Sequence, residues 1–420
     1  MPDPTSEQYD AIIVGGGPAG STCARALVRG GARVAIVDRA EFPRVKLCGG
    51  WLSRDIWDAL EMSPREYPAG LWEWNTCHVR YRGEDRAVSC RGWFIRRVEM
   101  DDFLLRRSGA ALHLGVVVKD PGRDDGERGD WSVAGLRAPH LIGAGGTHCP
   151  VARLVAPPRP SGPVGVQEHE FRADPDAVAR ARIGRDGEPE LLLHDDLRGY
   201  SWNVSKTEWA NVGSGTVNPH DVRAAWLRAR EHFVASGHIP AAYVPELEPA
   251  AMKGYSYYLF DPAHLDGAAR VDADGARSAL LVGDSLGLAQ PLTAEGILPA
   301  IVSGRLAAEA ILAGDPASYP ARMHAHPVIA DYRRLSRLRR AIAGLGVGSR
   351  GANGHAAPKL ASAPASALRA HPARLGKRML MNGFAWMFSG ARLPAPRAID
   401  VALAGAERWL DRRAAQRRAS

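Results

Sequence analysis

A short apolar run, "AIIV", breaks at once into G-x-G-x-x-G at Gly15, Gly17 and Gly20, then into a helical stretch, "AGSTCARALVRG". A second apolar run, "ARVAIVD", follows and ends on Asp38. Short runs that are apolar on both faces are strands buried in a parallel sheet. The segment therefore reads as a strand–helix–strand unit, and no other feature constrains the fold as strongly. Gly15 permits a tight turn, Gly17 lets a pyrophosphate approach the backbone, and Gly20 lets the helix pack on the strand. Pro18 and Ala19 open the helix, whose first N–H groups suit a phosphate. Asp38 lies 18 residues after Gly20, where a carboxylate accepts hydrogen bonds from a ribose. The motif predicts dinucleotide binding, because a purely structural turn leaves Asp38 unexplained.

A second strand–loop–helix pattern appears about 250 residues later. "ALLVGD" ends on Gly283 and Asp284, and "PLTAEGILPAIVSG" opens a helix through Gly296 and Ile297. An acid at Asp284 suits the ribityl hydroxyls of a flavin. A helix start aimed at the isoalloxazine would stabilise negative charge on the reduced ring. FAD is thus the expected dinucleotide.

Composition narrows the classes. The 420 residues are 45% hydrophobic and 24% charged, a globular balance. No apolar run is long enough to span a bilayer. The polar, acidic start "MPDPTSEQYD" does not read as a signal peptide, so a cytoplasmic protein is expected. Five scattered cysteines, with no CxxC pair, argue against a disulfide framework. The fourteen histidines show no ligand spacing, so no metal is expected. The net charge is +8, but residues 321–420 hold 19 Lys and Arg against four Asp and Glu. A basic C-terminal region reads as a solvated helical face or a membrane-surface contact. Without a zinc-finger or RNA-binding signature, no nucleic acid is expected.

Strand-like runs dominate residues 164–250, after the boundary "APPRPSGP". The organisation expected is α/β. A discontinuous Rossmann-like FAD-binding domain spans 1–65, 91–163 and 251–320. An inserted antiparallel β-sheet substrate domain spans 66–90 and 164–250. A basic helical C-terminal region spans 321–420. Trp72, Trp74, Trp93, Trp202, Trp209, Tyr255, Tyr257 and Tyr258 are candidates to line an apolar cavity, or simply to pack. In "LGKRMLMNGFAWMFSGARL", Met379, Leu380, Phe384, Trp386, Met387 and Phe388 alternate with Arg374, Lys377, Arg378 and Arg392. That pattern fits either an interfacial helix or one packed on the core. The tail "RRAAQRRAS" would add attraction to acidic lipids.

Taken together, these segments resemble the flavoprotein monooxygenase fold and, within it, the geranylgeranyl reductase family, over most of residues 8–312. "GGGPAG" with Asp38 and Arg39 is similar to the family's first FAD motif. "RRVEMDDFLL" resembles its arginine-bearing helix, with Arg97 at the position near the FAD phosphates. "GAGGTHCPVAR" resembles the second motif, although Ala144 and Gly145 replace its usual acid–glycine pair. "VGDSLGLAQPLTAEGI" is similar to the third. "KLCGGWLS" resembles the reductases' Lys-x-Cys-Gly-Gly loop, with Lys46, Cys48, Gly49 and Gly50. "GYSWNVSKTEWANVG" resembles their Tyr-x-Trp-x-Phe-Pro-Lys segment, with Tyr200, Trp202 and Lys206 matching and Val204 and Ser205 departing.

The resemblance implies that Gly49 and Gly50 let the loop lie against the flavin, with Cys48 near its reactive face. Three roles for Cys48 stay open: tuning or shielding reduced flavin, packing as a small hydrophobe, or a covalent or proton-donor role. Tyr200 and Trp202 share one strand face and join Cys48 as the catalytic candidates. The implied activity is reduction of carbon–carbon double bonds in a small apolar, prenyl-type substrate. Hydride would come from flavin N5, with NADPH or a reduced ferredoxin as electron donor. The alternative is a flavin monooxygenase hydroxylating an aromatic or polyketide-like metabolite, since the fold serves both chemistries.

Overall fold

The computed structural model describes residues 7–123, 129–156, 159, 161–181, 188–344 and 371–390, with single positions at 400, 404 and 408. The turn "GANGHAAP", Arg392 and the tail "RRAAQRRAS" lie outside the described residues, and Arg374 is described only as part of a helix. The chain forms two compact units. The first comprises Met1–Leu71, Trp93–Val164 and Ser256–Ser336. The second comprises Trp72–Gly92, Gly165–Tyr255 and Arg337–Ser420.

The first unit is built on a six-stranded sheet. Its order is Ala269–Val271, Ser278–Leu281, His140–Gly143, Ala11–Val14, Val34–Val37 and Ala111–His113. All neighbours run parallel except Ala269–Val271, which pairs antiparallel with Ser278–Leu281. Every residue of Ala11–Val14 and Val34–Val37 is buried, as strands covered on both faces require. The helix Pro18–Arg29 follows the first strand and crosses the helix Ile297–Leu312 closely. A side chain at Gly304 would stand 2.3 Å from the Ala19 carbonyl oxygen, so glycine is what permits that approach. A small sheet of Glu7–Gln8, Leu136–Ala138, Trp131–Val133 and Gly122–Arg123 completes the unit's strands among the described residues, apart from Trp51–Leu52. Trp51 and Leu52 pair antiparallel with Phe94 and Trp93.

The second unit carries a long sheet in the order Lys253–Tyr257, Val164–Arg172, Trp209–Thr216, Gly199–Lys206, Glu190–Leu193, Leu71–Tyr81 and Glu84–Ile95. Its central strands are antiparallel, as expected. One pair departs: Glu190–Leu193 runs parallel to Leu71–Tyr81, with Glu190 opposite His78. The two strands lie far apart in sequence, and a crossover rather than a hairpin returns the chain. The helix Val222–Ala235 covers one sheet face, sealing a core of Phe171, Val212, Trp226, Phe233, Leu247 and Met252. Trp226 donates its indole N–H to the Leu247 carbonyl at 3.1 Å, which satisfies the one polar atom of that side chain.

Candidate functional site

The glycine turn of the first unit is shaped by what a side chain would strike. Gly15 has φ +113°, and a Cβ there would lie 2.4 Å from the Ala144 carbonyl oxygen. At Gly20 a Cβ would lie 1.9 Å from the Gly15 carbonyl oxygen. Gly17 differs. It caps the helix in an extended conformation, and a Cβ there would meet only Arg44 Nη2, at 3.6 Å. Two glycines therefore admit protein, and the third faces open space. Pro18 occupies the first helical turn, which holds no acidic residue, and no side chain caps the helix. Uncapped N–H groups, a positive helix end and an open approach fit a pyrophosphate.

Asp38 is buried at the end of the second strand and accepts hydrogen bonds from the Gly16 N–H at 2.7 Å and the Ala40 N–H at 2.9 Å. Its carboxylate is thus fixed against the glycine turn, where a ribose edge belongs. Arg39, the next residue, is exposed.

Arg44 has no counterpart in the motif reading, and its guanidinium stands over Gly17. Its Nη1 also lies 3.0 Å from Asp101 Oδ2. Asp101 is fully buried and shared: Arg97 donates to it twice, through Nε at 2.7 Å and Nη2 at 2.8 Å. Burial alone would lower the Arg97 pKa, but Asp101 and the nearby Cys48 thiol outweigh it and hold the pKa raised. Arg97 is therefore a permanent cation locked onto its own helix, and Arg44 is the cation facing the phosphate approach. Cys48 is half-buried, with the Gly50 N–H directed at its sulfur at 3.4 Å. Gly50 takes φ +71°, and its carbonyl accepts the Ile95 N–H at 2.9 Å. Lys46 and Gly49 are half-buried in the same loop, with Lys46 Nζ 3.5 Å from the Leu47 carbonyl oxygen.

The third motif closes on this loop. Gly283 turns at φ +59°, and its N–H is held by Ser303 Oγ at 2.9 Å. Gly296 caps the helix beginning at Ile297, and a Cβ on it would meet Asp284 Oδ1 at 3.3 Å. Asp284 and the helix start are thus adjacent. Between them lies Glu295, which the sequence reading passed over. Ser53, fully buried and five residues beyond Cys48, donates to Glu295 Oε1 at 3.2 Å. Glu295 as a residue is half-buried, with its carboxyl end enclosed, and burial pushes its pKa up to about 8. The Ser53 hydroxyl and the Leu298 N–H favour the charged form, while Asp55 opposes it. The buried Tyr332 phenol also faces this carboxyl, and burial raises its pKa. A carboxyl group that keeps its proton near neutral pH is an acid in reserve. The signal available in sequence was a lone Glu before the helix-capping glycine of the third motif.

Arg159 also escaped the motif reading. Its Nη2 donates to the Ser285 carbonyl, and its guanidinium lies 4.1 Å over the ring of Tyr258.

In the second unit, Tyr200 and Trp202 do share one face of the strand Gly199–Lys206. Opposite them stand Gly215 and Gly213. A Cβ at Gly213 would come 2.3 Å from the Trp202 ring, so the indole lies flat across that glycine. Its N–H donates to Asn211 Oδ1 at 2.7 Å, and Asn211 Nδ2 reaches Glu170 Oε2 at 3.4 Å. Glu170 in turn binds Lys206 Nζ at 2.6 Å, with the lysine side chain fully buried. The Lys206 match therefore acts through Glu170 and Asn211 to orient Trp202. Tyr200 packs edge-on against Phe384 and Phe388 of the helix His371–Phe388, at 5.4 and 5.5 Å. Among the other aromatic candidates, Trp74 is core, Trp93 packs on Trp57 at 5.8 Å, and Trp72 donates to Thr207 Oγ1 at 2.7 Å.

Comparison with known proteins follows the same lines. A family model described as an NAD(P)-binding Rossmann-like domain matches residues 13–51. The menaquinone reductase of Mycolicibacterium smegmatis is 27% identical, with 74% of this chain and 78% of that protein aligned. The geranylgeranyl diphosphate reductase of Rhodobacter capsulatus is also 27% identical, over 73% and 75% of the two chains. Among solved structures, a geranylgeranyl bacteriochlorophyll reductase-like protein from Thermoplasma acidophilum superposes with TM-score 0.61 at 20% identity. That match covers 80% of this chain and 88% of the other. Fold, cradle and relatives define an FAD-dependent oxidoreductase. Within that class, the chain is geranylgeranyl reductase-like.

Proposed function

We propose that this oxidoreductase reduces carbon–carbon double bonds in a small apolar substrate bearing a prenyl chain. The aligned relatives are named for menaquinone and geranylgeranyl diphosphate, both prenyl compounds. In this reading Gly15, Gly17, Pro18, Ala19, Gly20 and Asp38 hold the adenosine diphosphate half of FAD, with Arg44 added and Arg39 at the rim. Arg97 lies near the FAD phosphates, while Lys46, Cys48, Gly49 and Gly50 lie on the flavin side, as do Gly283, Asp284, Gly296 and Ile297. Reduced flavin, when bound, supplies a hydride to one carbon of the double bond. The second carbon needs a proton, and Glu295 supplies it. Tyr200 and Trp202 are the second unit's candidates to contact the apolar chain, and Cys48 is the first unit's candidate beside the flavin.

The observation that carries this reading is the Ser53–Glu295 hydrogen bond. It ties the Cys-Gly-Gly loop to the third motif, and a Glu295 pKa pushed up by burial supports a carboxyl that keeps its proton there. In this reading NADPH or a reduced ferredoxin is the electron donor. The test is anaerobic. Protein reduced with dithionite is mixed with a geranylgeranyl lipid. The flavin spectrum should return to the oxidised form without oxygen, and the product should gain the mass of two hydrogens. A lipid left unchanged, with an aromatic substrate gaining one oxygen in air, would select the hydroxylase instead.

The reading also includes a cytoplasmic protein that touches membrane. No helix among the described residues is long and apolar enough to cross one. In the helix His371–Phe388, however, Met379 is 67% and Trp386 45% exposed, and Arg378 beside them is exposed too. Apolar and cationic side chains together suit a peripheral contact with acidic lipid. Flotation with phosphatidylserine vesicles should carry the protein upward, and loss of flotation in a Trp386→Ser, Met379→Ser variant is the expected result. Wild-type protein left at the bottom of the gradient would dismiss the contact.

A further inference from the structure

The helix-covered face of the second unit's sheet holds a cluster that dinucleotide chemistry does not use. Glu190 opens the strand Glu190–Leu193 and is 4% exposed. His232 comes from the last turn of the helix Val222–Ala235, and His238 from the turn beyond it. His232 Nε2 and His238 Nδ1 each lie 2.9 Å from the same atom, Glu190 Oε1. One donor atom from each of the three residues falls within 4.8 Å of the other two.

We propose that Glu190, His232 and His238 form a divalent-cation site suited to Zn²⁺. Two imidazole nitrogens and a carboxylate oxygen are a donor set that zinc takes at about 2.0–2.2 Å from each ligand. In a tetrahedral site those bond lengths set neighbouring ligand atoms about 3.3 Å apart. The two nitrogen–oxygen spacings of 2.9 Å need only a few tenths of an ångström of opening, and the two nitrogens lie within 4.8 Å of each other. A metal takes the lone pair of a neutral imidazole nitrogen, so on binding any proton on the nitrogen facing Glu190 moves to the ring's other nitrogen or to solvent.

The surroundings favour the ion. Glu190 is 4% exposed and both imidazoles converge on one of its oxygens, so the donor atoms are already gathered in a poorly hydrated place. Glu190 Oε2 is approached by Asn203 Nδ2 at 3.5 Å, and Asn203 also reaches the His238 carbonyl at 3.4 Å. That amide can orient the carboxylate after Oε1 turns to a metal, as outer ligand partners do. Nearby, His78 Nε2 lies 2.8 Å from Glu188 Oε2. The histidine side chains are 19% and 16% exposed, so an ion can enter and a water can take the fourth position. The bound ion would tie strand, helix and turn together on the face opposite Trp202.

The test uses the full FAD-loaded protein after dialysis against a chelator. Zn²⁺ is titrated by calorimetry, with Mg²⁺ as the control cation. One equivalent should bind, Mg²⁺ should not compete, and the thermal midpoint should rise with Zn²⁺. His238→Asn and Glu190→Gln should each weaken binding at least tenfold. Glu190→Gln keeps the side-chain shape, and flavin absorbance reports whether each variant is folded. Zinc uptake unchanged in both folded variants, or no uptake by wild type, overturns the site. Neither result touches the observation that carries the reductase reading, the Ser53–Glu295 hydrogen bond of the other unit.

Discussion

The two units hold their working groups by opposite means. In the first, backbone does the holding: Gly15 and Gly20 fit only because they lack side chains, and Gly17 leaves its N-terminal helix end open. In the second, side chains hold side chains, in a relay from Lys206 through Glu170 and Asn211 to Trp202. A backbone cradle tolerates no added atom at its contact points, but its contacts are to main chain and so depend little on side-chain identity. A side-chain relay tolerates changes of volume, yet fails when one charged member is removed.

The sharpest way to break this contrast is to add one methyl group at two neighbouring glycines. Gly20→Ala forces a Cβ to within 1.9 Å of backbone, so the turn itself must move. The expected result is loss of bound FAD and a lowered melting point of the apoprotein. Gly17→Ala meets nothing closer than 3.6 Å and asks for no new backbone conformation. Its apoprotein should stay within about 1 kcal/mol of wild type, the size of a lost N-cap preference, while FAD affinity falls about tenfold or more. The ratio of flavin to protein absorbance, with apoprotein melting, reads both. Equal loss in the two variants would mean that Gly17 is structural.

The same contrast explains what could be read from the chain alone. The glycine turn, Asp38 and the third-motif helix were legible because backbone constraints leave a local mark: a glycine at a set offset between a buried strand and a helix. The second unit was legible in outline, since alternating strands between 164 and 250 pointed to a sheet. Its relay was not. Glu170 and Asn211 lie 36 and 9 residues from Lys206 and Trp202, and only strand pairing brings them together. Arg44, Arg159 and Glu295 were missed for a related reason: each is an ordinary charged residue whose partners are set by tertiary folding. The histidines seemed scattered because Glu190 lies 42 residues from His232.

Removing the charge that anchors the relay should be the next largest effect. Lys206→Met leaves Glu170 facing a buried methyl group, and breaking one side of such a pair costs about 3–5 kcal/mol. Glu170 is 22% exposed and can draw water, so the lower end of that range is expected. Urea unfolding measures it. The double variant Lys206→Met, Glu170→Leu should recover most of the loss, since no buried charge is left unpaired. Tryptophan fluorescence should shift in the double variant, because Asn211 loses its contact with Glu170 beside Trp202. Full stability in Lys206→Met alone would deny the relay any role.

The smallest effect concerns Glu295 and depends on pH. Its folded pKa, pushed up to about 8, lies above the ordinary carboxylate value near 4.3 that an unfolded chain shows. Below about pH 4 the group is protonated in both states and costs nothing. As pH rises, the unfolded chain ionises first, and wild-type stability is lost progressively until the folded group ionises near pH 8. Glu295→Gln removes this titration. The variant should therefore match wild type near pH 4 and gain on it up to pH 8, by about 2 kcal/mol, with no further gain above. That figure is held below the full linkage value because the residue is only half-buried and solvent screens the charge. Unfolding midpoints at pH 4, 6, 8 and 9 give the curve. In the same variant, turnover with a prenyl substrate should fall at neutral pH, where Gln offers no transferable proton. A stability difference that does not change with pH would mean that Glu295 is ionised in the folded protein. Its place as the proton source would then pass to another group facing the Cys-Gly-Gly loop.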